Sequence, residues 1–264
     1  MAKYYKLIIW HAVILLLSWK FWGYVSYLLK NSKTLSFDFE PAAVANLVVI
    51  LTLVGLGFVL FQSRWLILSL GVVSNVFFLS YMGITKLNLI GMGLSFLLLL
   101  YAWNNIITEI KGRIRLSIST ILKSGLTGII LATFILISFG AYQSTLAKDI
   151  EKSRKLPSAS QSFISSIVKN VVGKQIQTSN QTEKQNIINQ VSQQTFNEIN
   201  NFFGPYFKYA PPILAFGLFL ILWGLSWIFV WLSVLLGMLI FWILKKIGVV
   251  RTEEKDVKAE VLII

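Results

Sequence analysis

The sequence predicts an all-α fold: a polytopic transmembrane helix bundle of about six spans with an extra-membrane amphipathic helical pair. Three observations lead there. Ile213 to Leu244 reads ILAFGLFLILWGLSWIFVWLSVLLGMLIFWIL and contains no charged side chain. A globular helix keeps a wet face, and this run has none. Hydrophobic residues make up 56% of the chain and charged residues 13%, against about a quarter charged in a soluble domain. Gln143 to Pro212, by contrast, is rich in Gln, Asn and Ser, so one polar segment interrupts an otherwise apolar chain.

The N-terminus opens like a signal peptide, with Lys3 and Lys6 before the apolar run Leu7 to Leu17. Ser18, Trp19, Lys20, Phe21 and Trp22 follow, too bulky for a small-residue cleavage site. An uncleaved first helix over Tyr5–Leu29 is the reading, with an interfacial amphipathic helix as the alternative. Lys20 can snorkel from either. After a polar connector, Pro41 suits the first turn of a second span over Ala42–Phe61. Gln62, Ser63 and Arg64 form a charged turn before a third span, Trp65–Gly83. The link Ile84–Asn88 leads to a fourth, Leu89–Ile107. The second to fourth spans each hold about 19 or 20 residues, enough at 1.5 Å rise to cross ~30 Å of hydrocarbon.

In Glu109–Lys123, the basic residues Lys111, Arg113, Arg115 and Lys123 interleave with Ile110, Ile114, Ile118 and Ile121. The isoleucines follow helical spacing, although Gly112–Ser119 also alternates with period two. An amphipathic helix on an anionic lipid face is expected, the four basic residues forming its lipid-facing patch. A fifth span follows over Gly125–Tyr142.

The polar segment 143–212 begins with the basic stretch Lys148–Lys155, broken at Pro157. Ser160–Ile176 then carries Phe163, Ile164, Ile167, Val168, Val171 and Val172 at amphipathic helical spacing. Thr182 and Gln185 match a capping box for a second helix whose face is Ile188, Val191, Thr195, Ile199 and Phe202. Gly204 and Pro205 stop it. Phe163, Ile167, Val171, Ile188, Val191, Ile199 and Phe202 are the expected interaction stripe. Phe202, Phe203, Tyr206, Phe207 and Tyr209 are the expected aromatic girdle. The final apolar run is expected to be one long helix; the alternative, a re-entrant hairpin turning at Gly224–Trp227, would put Lys245 and Lys246 outside, which the charge rule disfavours. The expected organisation is therefore a five-span bundle over 1–142 with the amphipathic loop 109–123. An extracytoplasmic insert, 143–212, precedes a long final helix, 213–246, and a charged tail, 247–264.

Charge orients this arrangement. One side holds Lys3, Lys6, Arg64, Lys111, Arg113, Arg115, Lys123, Lys245, Lys246, Arg251, Lys255 and Lys258. The short loops opposite hold Lys30, Lys33 and Lys86. The first side is expected to be cytoplasmic, with both termini there, in the cell membrane, and 143–212 outside.

The net charge of +13 would point a soluble protein towards nucleic acid. Here lipid phosphate is the expected anion, and no nucleic-acid partner is expected. With no cysteine and a single histidine, His11, the chain offers no disulfide, thiolate nucleophile or histidine pair. No Asp or Glu falls within a span, which argues against a proton-coupled carboxylate. His11 as a proton relay is weighed against a hydrogen-bonded interfacial histidine. No G-x-S-x-G, Walker loop, H-E-x-x-H or paired-carboxylate pattern occurs. No enzyme activity, metal or cofactor is expected. Asn180–Thr182 is a glycosylation sequon.

Asn46, Thr52, Ser74, Asn75, Asn104 and Asn105 could line a solute path or hydrogen-bond neighbouring helices. Gly128 with Ala132, Gly91 with Ser95, and Ser233 with Gly237 are small i, i+4 pairs suited to close helix packing. The expected function is non-enzymatic: a bilayer anchor presenting 143–212 to a protein partner or a second copy. The rival is a small-solute channel or transporter subunit.

Overall fold

The computed structural model describes residues 2–31, 40–62, 76–113, 116–171 and 181–250. All regular structure among them is helical. Among the described residues, five stretches are long and apolar enough to cross a membrane: Tyr5–Asn31, Pro41–Phe61, Lys86–Lys111, Ile118–Ser153 and Gln181–Lys246. The protein is a helical membrane protein.

Helix α1 spans Ala2–Asn31 without a break at Lys20. Ile14, Ser18, Phe21, Trp22, Val25 and Leu29 form its buried face. Ile8, Ile9, Leu16 and Trp19 on the opposite face are equally apolar and exposed. Such a helix suits hydrocarbon on its outer side. Helix α2 spans Pro41–Phe61, with proline in its first turn and Gln62 closing it in the left-handed region at φ 48°. The expected third span and the Arg64 turn lie largely outside the described residues. Residues 76–82 are helical, and Gly83 follows at φ +87°, a conformation that favours glycine.

Helix α3, Lys86–Lys111, starts three residues before the expected fourth span and ends four after it. Thr85 explains the early start: its hydroxyl accepts from Asn88 N at 3.2 Å, an N-cap inside what had read as a link. Asn88 Nδ2 then donates to Gly83 O at 2.8 Å and Met82 O at 3.3 Å, fastening the preceding turn. Helix α4 spans Ile118–Tyr142. The single amphipathic helix expected over 109–123 is therefore corrected. Its first residues end α3 and its last begin α4. Gly112 closes α3, its N–H bonded to Thr108 O at 2.9 Å.

The polar segment contains one more helix than expected. Helix α5, Thr145–Ser153, is capped by Ser144, whose side chain accepts from Ala147 N, and ends at Arg154 with φ 50°. Helix α6 spans Ser158–Val171 and α7 spans Gln181–Phe203. Thr182 is helical and lies within α7, and the residue before Gln181 lies outside the described residues. A short 3-10 turn, Gly204–Tyr209, leads into α8, Ala210–Lys246. Helix α8 is continuous, so the chain does not turn at Gly224–Trp227. Its 37 residues measure roughly 55 Å at 1.5 Å rise, well beyond ~30 Å of hydrocarbon.

The chain divides into two compact units. The first comprises Met1–Gly23, Glu40–Leu136 and Ile221–Ile264. Within it α1 and α2 are antiparallel, since Trp10 Nε1 donates to Leu53 O at 3.0 Å and Asn46 Nδ2 to Leu17 O at 3.2 Å. Leu51, Leu56, Ala102, Ile106, Ile121, Leu122, Leu126 and Ile130 form its fully buried centre. The second unit comprises Tyr24–Phe39 and Ile137–Leu220. It holds two small apolar clusters. Leu146, Ile150, Phe207 and Ala210 form one, and Ile164, Val168 and Ile188 the other.

Candidate interaction surface

The α6–α7 pair follows from the width of its apolar stripe. Five apolar residues at i, i+1, i+4, i+5 and i+8 cover more of a helix than one neighbour can bury. Ile164 and Val168 turn towards α7 and pack with Ile188, while Val191, Phe196 and Ile199 close around them. Phe163, Ile167 and Val171 lie on the adjacent strip and are 67%, 46% and 58% exposed. The seven stripe residues singled out by spacing are therefore not one surface. Ile188, Val191 and Ile199 serve the internal packing of the pair. Phe163, Ile167 and Val171 form an outward apolar strip on α6. Phe202, 70% exposed, stacks edge-on with its neighbour Phe203 at 5.0 Å between centroids.

The girdle divides too. Phe207 is buried with Leu146 and Ile150, whereas Phe202, Phe203, Tyr206 and Tyr209 are exposed. Lys208 Nζ stands 4.9 Å from the Tyr209 ring. Asn200 Oδ1 accepts from Leu156 N at 2.7 Å, and Thr145 Oγ1 donates to Lys30 O at 2.7 Å. Spacing alone could not identify these anchors, because each joins a side chain to a backbone group far along the chain. Asn180 of the sequon lies outside the described residues.

The expected basic patch does not lie on one helix face. Lys111 ends α3, and Arg113 pairs with Glu109. Lys123 sits on α4 with its ammonium 5.1 Å from the Trp231 ring. Arg115 lies outside the described residues.

The small residues sit where helices meet. A Cβ on Gly128 would come 2.9 Å from Ala102 Cβ and 3.2 Å from Leu98 O. One on Gly237 would come 2.6 Å from Leu122 Cδ1. Ala132, Gly91, Ser95 and Ser233 are buried. Gly125 joins them, although spacing passed it over: its Cβ would lie 2.4 Å from two atoms of Ile106 and 3.0 Å from Ala102 O.

Polar side chains in the spans bond across helices. Thr52 Oγ1 donates to Val48 O at 2.7 Å and reaches Ser233 O at 3.3 Å. Asn46 donates to Leu17 O, and Asn105 Nδ2 to Ser124 O at 3.4 Å. Asn104 is exposed, and Ser74 and Asn75 lie outside the described residues. Ser18, Ser95 and Thr133 border a cavity of about 30 Å³, the space of a single water. His11 Nδ1 lies 2.7 Å from Leu7 O; a carbonyl only accepts, so this nitrogen carries the proton. Among the described residues no three His, Asp or Glu side chains gather as metal ligands. No family model matches the chain, and neither a curated protein nor a solved structure matches it.

Proposed function

We propose that this is a non-enzymatic membrane protein whose spans anchor the polar segment 143–212 and present it, outside the cell membrane, as an interaction or assembly surface. The observation that carries the reading is the strip Phe163, Ile167 and Val171, exposed on a helix already packed on its adjacent face. Three large apolar side chains in a row on a polar helix are costly to leave in water, and contact with a partner or a second copy removes them from it. A transport reading draws less support. Asn46, Thr52 and Asn105 direct their donors to backbone carbonyls, which spends them on helix association.

The test is photo-cross-linking in native membranes from single probes at Phe163 and Ile167. Adducts to a second copy or to a defined partner protein are expected, and Ile167→Asp should remove the adduct formed at Phe163 without lowering stability. The reading fails if neither probe yields an adduct while purified protein makes liposomes permeable to a defined small solute.

A further inference from the structure

The N-terminal end of α1 meets the C-terminal ends of α2 and α8 around a cavity of about 540 Å³. Ile9 and Trp10 from α1, Phe61 from α2 and Leu244 from α8 supply apolar walls. Trp10 has its indole N–H committed to Leu53 O and its ring set edge-on to Phe61 at 6.0 Å, so it offers carbon to the cavity. Ile9 lines the space and is also 64% exposed. The cavity therefore opens onto the face that α1 turns to hydrocarbon.

Among the described residues, one charged group borders this space. Lys6 Nζ donates to Val249 O at 3.0 Å. An ammonium carries three N–H donors, and Lys6 uses one of them among the described residues. Lys245 and Lys246 follow Leu244 directly. The described acidic residues of this unit are Glu40 and Glu109. Glu40 caps the far end of α2, and Glu109 pairs with Arg113. No described carboxylate answers Lys6.

An apolar slot open to hydrocarbon, with an ammonium at its mouth and no carboxylate beside it among the described residues, is complementary to an anionic amphiphile. Its volume falls within the ~300–1,000 Å³ of small-molecule sites. We propose that it binds one anionic glycerophospholipid, an acyl chain along Ile9, Trp10, Phe61 and Leu244 and the phosphate on Lys6. A phosphate oxygen accepts from the two N–H groups that the backbone bond leaves over. Lys245 and Lys246 add field without needing contact. The site shares no residue with α6 or α7 and does not rest on the function proposed for them.

The experiment is native mass spectrometry of the full chain in a neutral detergent. It is titrated with phosphatidylglycerol, phosphatidylcholine or glycerol phosphate. One phosphatidylglycerol per chain is expected, retained at least tenfold better than phosphatidylcholine. Lys6→Gln should reduce that preference at least fivefold, and Lys6→Arg should keep it. Leu60→Trp, which narrows the slot, should weaken both lipids together. Thermal unfolding of each variant separates lost binding from lost fold, and Lys6→Met, expected to lose the preference as Lys6→Gln does, carries the comparison if Lys6→Gln is unstable. Equal retention of the two lipids, an unchanged preference in a folded Lys6→Gln, or displacement of the lipid by glycerol phosphate at equal concentration would overturn the proposal.

Discussion

Gly125 and Gly128 set how closely α3 and α4 approach. At Gly125 the obstacle includes the Ala102 carbonyl, which is backbone and cannot step aside as the tip of Ile106 can. Gly125→Ala should therefore destabilise by about 1–3 kcal/mol, as overpacked cores do. Gly224→Ala is the control, since nothing lies within 4 Å of its added Cβ. It should leave stability unchanged or raise it by about 0.4–1 kcal/mol. Denaturation of both variants in mixed micelles gives the comparison, and equal midpoints would contradict it. Thr52→Val removes a fully buried hydroxyl bonded to Val48 and Ser233 carbonyls. A loss of about 0.6 kcal/mol is expected in the same assay. Gly128 and Gly237 were legible because each has a small residue four positions away. Gly125 was not, because Ile121 and Ile129 flank it at that spacing. Only the position of Ile106 across the seam makes the glycine necessary.

At the scale of elements, long apolar runs were the most legible. The ends of α2 were readable from Pro41 and the polar residues after Phe61. The continuity of α8 was readable from charge rather than from composition: a hairpin at Gly224–Trp227 would put Lys245 and Lys246 on the outer side, against the loop-charge rule. Helix α5 escaped notice because Lys148, Asp149, Glu151 and Lys152 mask its apolar residues. Yet Leu146, Ala147 and Ile150 are buried on one side. The available signal was Ser144, a strong capping residue. Ser144→Ala should cost about 1 kcal/mol and speed amide exchange across 145–153; unchanged exchange there would remove the cap from the account. The α6–α7 pair makes a sharper contrast. Ile164→Ala deletes a buried contact to Ile188 and should cost about 2–5 kcal/mol. Ile167→Ala should stay within about 0.5 kcal/mol, because its side chain is exposed.

For the whole molecule, the apolar composition was enough to identify a membrane protein, while sidedness rests on loop charge alone. Lacking native cysteine, the chain can be labelled at single introduced sites. Ser158→Cys should react with an impermeant maleimide on intact cells, and Thr252→Cys only after permeabilisation. Equal labelling of the two would refute the proposed orientation. What composition could not provide was the meeting of α1 with the end of α8, because nothing local in either segment encodes a partner so distant.

The bond from Lys6 to Val249 joins residues 243 positions apart. At about 5–20 residues per second, a ribosome finishes the later partner roughly 10–50 s after the earlier one. During that interval α1 must wait beside the translocon with part of its packing surface uncovered. Completion of this end of the protein thus comes tens of seconds after α1 is made, and chains released before α8 is finished would carry that surface uncovered.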